Sequence, residues 1–214
     1  MRQNFFNLSI AFVLIFTCFQ FYQNVYAQCP PGWNYAVRPL VINGCTYNVS
    51  ICYTCSPTGA NPATVTVLNI DQNGCPPVDL EDVRLALIAD YKNLCTVQPC
   101  GGDCSLQMSL LIEMPSCWQW YYNMNFINGE WHFYSWRVPC GERFCGTWYK
   151  VCYDQATGQV IKCQPWQIIK TARGTACPNT AKIPWPQFFD PATMHYNVNN
   201  EPWQDCYQEE ECTF

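Results

Sequence analysis

VRPLVINGCTYNVSICY, residues 37–53, sets two alternating runs on either side of Asn43-Gly44. Asn-Gly accepts positive φ at both central positions of a type I′ turn, whose twist matches that of the strands it joins. The stretch therefore predicts a two-residue hairpin with Ile42 opposite Cys45, Leu40 opposite Tyr47 and Arg38 opposite Val49, which gathers a mostly apolar face. Pro39 has no N–H to give a ladder, so its strand is expected at a sheet edge.

Its second strand, CTYNVSICY at 45–53, returns as CGTWYKVCY at 145–153 with both cysteines and the closing tyrosine in register. Seven is an odd spacing, so the two cysteines of each copy point to opposite faces of a strand, ~23 Å apart when extended. A bridge tolerates a Cα separation of only about 7 Å. Each cysteine must then staple its strand to a different neighbour, and the repeat describes architecture rather than a functional signature.

Working outward, TVTVLNI at 64–70 is β-branched and reads as a third strand. DLEDVRLALIADYKNL then changes period: Leu80, Val83, Leu87, Tyr91 and Leu94 fall on one stripe at helical spacing. An amphipathic helix over about 79–94 is predicted, with Asp79 as its N-cap, acidic residues in its first turn and Lys92 in its last. After CTVQPCGGDC at 95–104, SLQMSLLIEM alternates, placing Leu106, Met108, Leu110, Ile112 and Met114 on one side. A second Asn-Gly, Asn128-Gly129, predicts another hairpin, and TWYKVCY, DQATG and QVIKC predict a third closed by Gly158. The fold class expected is α+β: a predominantly antiparallel β-sheet of hairpins and a meander, with one amphipathic helix and many disulfides.

Four segments follow. Residues 1–27 run from a charged start through an apolar core to Ala27, the order of a secretory signal peptide. Residues 28–100 form an N-terminal lobe, 101–173 a meander lobe, and 174–214 an irregular aromatic and proline-rich wrap held by Cys177, Cys206 and Cys212. The apolar core from Leu8 to Tyr22 is shorter than the roughly 20 residues that span a bilayer, so no transmembrane segment is expected after cleavage.

Of 17 cysteines, all but Cys18 remain in the mature chain. These sixteen are Cys29, Cys45, Cys52, Cys55, Cys75, Cys95, Cys100, Cys104, Cys117, Cys140, Cys145, Cys152, Cys163, Cys177, Cys206 and Cys212. An even count at this density in an exported chain predicts a disulfide scaffold of open connectivity, and hence a secreted, extracellular or cell-surface location. Cys52-x-x-Cys55 and the Cys95, Cys100, Cys104 cluster are read as bridges rather than as redox or metal centres, because an oxidising compartment removes the thiolates that zinc needs. No metal or cofactor is expected.

Losing one basic and no acidic residue with the signal shifts the net charge from −5 to −6. Without a basic stripe, nucleic acid is excluded as a partner. The chain lacks G-x-S-x-G, H-E-x-x-H, P-loop and Rossmann motifs, and holds only His132 and His195. Glu113, Glu130 and Glu142 are the carboxylates from which a glycosidase pair would be drawn, and Glu113 with Glu130 is the nominal pair of that alternative. The acidic end, Asp205 with Glu209 to Glu211, lacks the spacing of a calcium loop.

One surface remains. In the second hairpin, Phe126 opposes Trp131, Met124 opposes Phe133, Tyr122 opposes Ser135 and Trp120 opposes Arg137 on a face suited to burial. Its other face carries Tyr121 across from Trp136, Asn123 across from Tyr134 and Asn125 across from His132. Flat rings among amide and imidazole groups suit a sugar or a peptide strand; the alternative is that the 174–214 wrap covers this face and makes it a second core layer, since large exposed aromatic patches are uncommon on monomers. A non-enzymatic binding, adhesive or matrix protein with a glycan or an extracellular protein as partner is the expected function. The alternatives are a carbohydrate hydrolase and an inhibitor or effector presenting the DQATG tip. Asn48-Val49-Ser50 is a glycosylation sequon.

Overall fold

The computed structural model describes residues 29–55, 62–101, 104–163, 169–178 and 204–208 of the 214. The expected signal peptide lies outside them, as does most of the C-terminal wrap. The fold below is that of the unit Gly32–Phe214.

Asn43 (φ 52°) and Gly44 (φ 80°) make the predicted turn between β1 (Asn34–Ile42) and β2 (Cys45–Thr54). The register is the expected one, with Ile42 facing Cys45, Leu40 facing Tyr47 and Arg38 facing Val49. β1 pairs with β2 and no other described strand, so Pro39 does sit on an edge. β3 (Ala63–Asp71) runs antiparallel to β2. The register slips there: Ser50 faces Asn69 while Ile51 faces Val67, which leaves Leu68 as an extra residue. A bulge of this kind reverses the alternation. Ala63, Val65 and Val67 face the core before it and Ile70 after it.

The helix α1 (Leu80–Asp90) begins where expected, with an Asp79 carboxylate oxygen accepting from the Glu81 backbone N–H at 2.7 Å. It is shorter than 79–94, because Tyr91–Asn93 tightens into a 3-10 turn. Leu80, Val83, Leu87 and Tyr91 are buried. α1 lies across one face of the sheet, from β1 to the far strand β8. The Arg38 guanidinium donates to both Asp90 oxygens at 2.6 and 2.8 Å, and Lys92 donates to the Gly158 carbonyl.

β4 (Met108–Pro115) buries Leu110, Ile112 and Met114 on that same inner face, while Leu106 precedes the strand and is exposed. β5 (Cys117–Ile127) and β6 (Glu130–Pro139) form the second hairpin through Asn128 (φ 54°) and Gly129 (φ 87°), and every expected cross-strand pair is present. β7 (Phe144–Asp154) and β8 (Gln159–Lys162) make the third, with Gly158 at φ 68°. Two short strands were not expected: β9 (Ile169–Arg173), along β7, and β10 (Gln204–Gln208), along β5.

The fold is α+β and rich in disulfides, but its sheet is mixed and it is not a meander. β3 pairs in parallel with β4, Ala63 to Thr66 against Leu110 to Glu113, and antiparallel with β6 at Ile70–Arg137 and Asp71–Trp136. The order β10-β5-β6-β3-β4-β7-β8, with β1-β2 branching from β3 and β9 from β7, puts all ten described strands in one sheet. A connection containing α1 carries β3 to its parallel neighbour β4, as parallel pairing requires. No described helix is long and apolar enough to cross a membrane.

Among the described residues, six bridges have both partners placed and join distant segments: Cys45–Cys75, Cys55–Cys95, Cys100–Cys152, Cys104–Cys163, Cys117–Cys177 and Cys140–Cys206. Cys29, Cys52 and Cys145 are also disulfide-bonded. The repeated C-x6-C segments are β2 and the body of β7, and in both the cysteines bond elsewhere. Cys45 reaches Cys75 and Cys152 reaches Cys100.

Tyr91, wholly buried at the end of α1, carries a phenol pushed up to about 12 by that burial. Its protonated form is thus favoured in the folded chain, so the stability it contributes is complete below pH 10 and is lost as pH rises from 10 towards 12. The displacement from 10 to about 12 corresponds to about 2 to 3 kcal/mol. Urea titrations between pH 9 and 12 should show a fall that Tyr91→Phe flattens; equal slopes in both proteins would refute the assignment.

Candidate functional site

The hairpin β5–β6 presents two different faces because side chains alternate along each strand. On the inner face Trp118, Trp120, Ser135 and Arg137 are buried. The Arg137 guanidinium lies 5.1 Å from the Trp118 ring centre and 5.3 Å from that of Trp120, and donates to the Val78 carbonyl at 2.9 Å. Trp120 donates its indole N–H to the Tyr207 hydroxyl, so β10 closes this layer.

On the outer face Tyr121, Tyr134 and Trp136 are half-buried. Tyr121 and Trp136, cross-strand partners, stack with ring centres 5.7 Å apart and planes within 10°. Each ring therefore covers one side of the other, and both residues remain partly exposed among the described residues. The Tyr121 hydroxyl donates to Gln119 Oε1 at 3.1 Å. Asn123 pairs with Tyr134 and Asn125 with His132 in the backbone register; the side chains of Asn123, Asn125 and His132 lie outside the described residues. His195 lies outside them too.

Two strands away on the same sheet, Glu113 is fully engaged. Its carboxylate accepts from Arg173 Nε at 2.8 Å and Arg173 Nη2 at 3.0 Å, and from the Thr66 hydroxyl at 2.8 Å. That pairing holds the Arg173 guanidinium above its ordinary value. Glu113 thus faces a cation rather than a second carboxylate, while Glu130 begins β6 at the hairpin turn. This weakens the glycosidase pair: a carboxylate held by three donors of its own chain is not free to turn towards a glycosidic oxygen.

The cysteine clusters are structural in their connections. Cys55 bonds Cys95, so Cys52-x-x-Cys55 is not a bridge of its own, and Cys95, Cys100 and Cys104 go to three different partners. Cys152 Sγ lies 3.2 Å from Cys163 Sγ and 3.5 Å from Cys104 Sγ because two bridges sit side by side. Those sulfurs are spent in disulfides and offer no thiolate to a metal. The DQATG tip is a closed turn: Asp154 accepts from the Thr157 hydroxyl at 2.7 Å and the Ala156 N–H at 3.0 Å, which hold its carboxyl below the usual value.

Register also adds two groups that the sequence alone did not bring to this surface. Asp71 is the β3 partner of Trp136, and Asn48 is the β2 partner of Asp71. No protein-family model, curated protein or solved structure matches the chain.

Proposed function

We propose that this is an extracellular, disulfide-stapled binding protein that works without catalysis and takes its ligand on the outer face of β5–β6. The stacked pair Tyr121–Trp136 carries the reading: two large rings are held parallel and partly open on a stiff hairpin whose opposite face is core. Rings fixed in this way lose little freedom on binding and offer their flat sides to a sugar ring or an apolar side chain. Supporting it, Glu113 is committed to Arg173, and the bridges suit an oxidising exterior.

Trp136→Ala is expected to weaken binding about tenfold or more, as loss of a central aromatic anchor does. The check is titration of the mature protein against glycan and peptide panels, with the melting temperature of the variant as a control for folding. Binding that survives Trp136→Ala unchanged would remove this face from consideration.

A further inference from the structure

Resting on that reading, we propose that the outer-face site extends across the sheet and recognises an uncharged oligosaccharide, with Asp71 and Asn48 accepting hydrogen bonds from its hydroxyls. Cross-strand pairing places Tyr121 beside Trp136, Trp136 beside Asp71, Asp71 beside Asn48 and Asn48 beside Pro39. The five residues form one transverse row over β5, β6, β3, β2 and β1. Cross-strand partners share a face, and this one is opposite the core: Ile70, Val49 and Leu40, their neighbours along the strands, are buried inward. Four inter-strand spacings make the row ~19 Å long.

The chemistry changes along it. At one end are stacked rings; in the middle and beyond are a carboxylate and a carboxamide, all partly exposed. Asp71 Oδ1 accepts from the Asn73 backbone N–H at 2.9 Å, and a carboxylate has about four acceptor positions in all. Rings followed by acceptors suit a ligand with apolar ring faces and many hydroxyl donors.

A peptide fits this place less well. Strand-like peptides bind at sheet edges, where free backbone groups continue the ladder. On the face of a sheet those groups are already used, and a peptide lying there would leave its own backbone unpaired. A sugar has no such requirement. Acidic saccharides are disfavoured by Asp71 in the row and by the net charge of −5 on the chain.

The test is titration of the full mature chain with short cello-, manno- and chito-oligosaccharides, their uronate counterparts, and extended peptides. Asp71→Asn is the informative variant, because its amide oxygen still caps Asn73 while one acceptor becomes a donor; Asn48→Ala probes the far side, in protein made without N-glycosylation so that loss of the Asn48-Val49-Ser50 sequon changes nothing else. Uncharged oligosaccharides should bind the native protein, and each variant should weaken them by about tenfold, the worth of a hydrogen bond to a charged or well-placed acceptor. Trp136→Ala should weaken them at least as much, and uronates and peptides should bind poorly. If Trp136→Ala costs affinity while both polar variants stay within about twofold of native, the acceptor arm is wrong and the aromatic reading stands. Preference for peptides overturns the saccharide assignment. Absence of any binding, or indifference to Trp136→Ala, overturns both.

Discussion

Replacing Cys140 and Cys206 together by serine is expected to lower the unfolding free energy by about 4 kcal/mol. This bridge has the longest sequence separation of the six, 66 residues, and in the chain-entropy account the stabilisation grows with the logarithm of the closed loop. It also acts locally. Cys140 follows the end of β6, and Cys206 lies in β10, a five-residue strand whose pairing with β5 is interrupted by a register shift between Gln204 and Tyr207. Few ladder bonds hold β10, so its position depends on the bridge, on the wholly buried Tyr207 and on the hydrogen bond from Trp120. Urea denaturation should show a lower midpoint, and hydrogen exchange should show β10 opening before the sheet. A change below about 1 kcal/mol would mean that Tyr207 alone anchors the strand, well short of the loop-entropy expectation.

How far the fold could be read in advance depended on how local each contact is. Asn43-Gly44 and Asn128-Gly129 determine two hairpins with register, since a two-residue turn leaves no freedom in the pairing. Asp79 and the stripe from Leu80 to Tyr91 do the same for the helix. The parallel pairing of β3 with β4 left no trace of comparable strength. It joins residues more than forty positions apart and shows in composition only as two apolar runs. The bulge at Leu68 turns Ile70 inward and Asp71 outward, which simple alternation from Val65 would have reversed. β9 and β10 are five residues each in polar surroundings and become strands through the neighbours they meet. The aromatic pair of the candidate site belongs to a single hairpin and was legible. Asp71 and Asn48 belong to it only through two non-local ladders, and were not.

Arg137→Ala should be as damaging as losing the bridge, at about 4 kcal/mol, and Arg137→Met much milder, at about 1 to 2 kcal/mol. Arg137 is wholly buried between Trp118 and Trp120. Truncation empties the space between two indoles and leaves the Val78 carbonyl without this donor. Methionine refills most of the volume and removes a charge that is costly to keep out of water, so part of the lost hydrogen bond is offset. Arg137→Lys should fall between them, because an ammonium keeps the charge but not the planar stacking. The consequence reaches the outer face. β6 meets β3 through Arg137–Ile70 and Trp136–Asp71, reinforced by the Gln72 N–H to Ser135 carbonyl bond at 2.9 Å. Loosening Arg137 on the inner side therefore loosens the Trp136–Asp71 pair on the outer side. Saccharide affinity should fall with Arg137→Ala and persist with Arg137→Met. If methionine is as destabilising as alanine, polar contacts of the guanidinium rather than its volume hold the layer, and the expected order of the three variants fails.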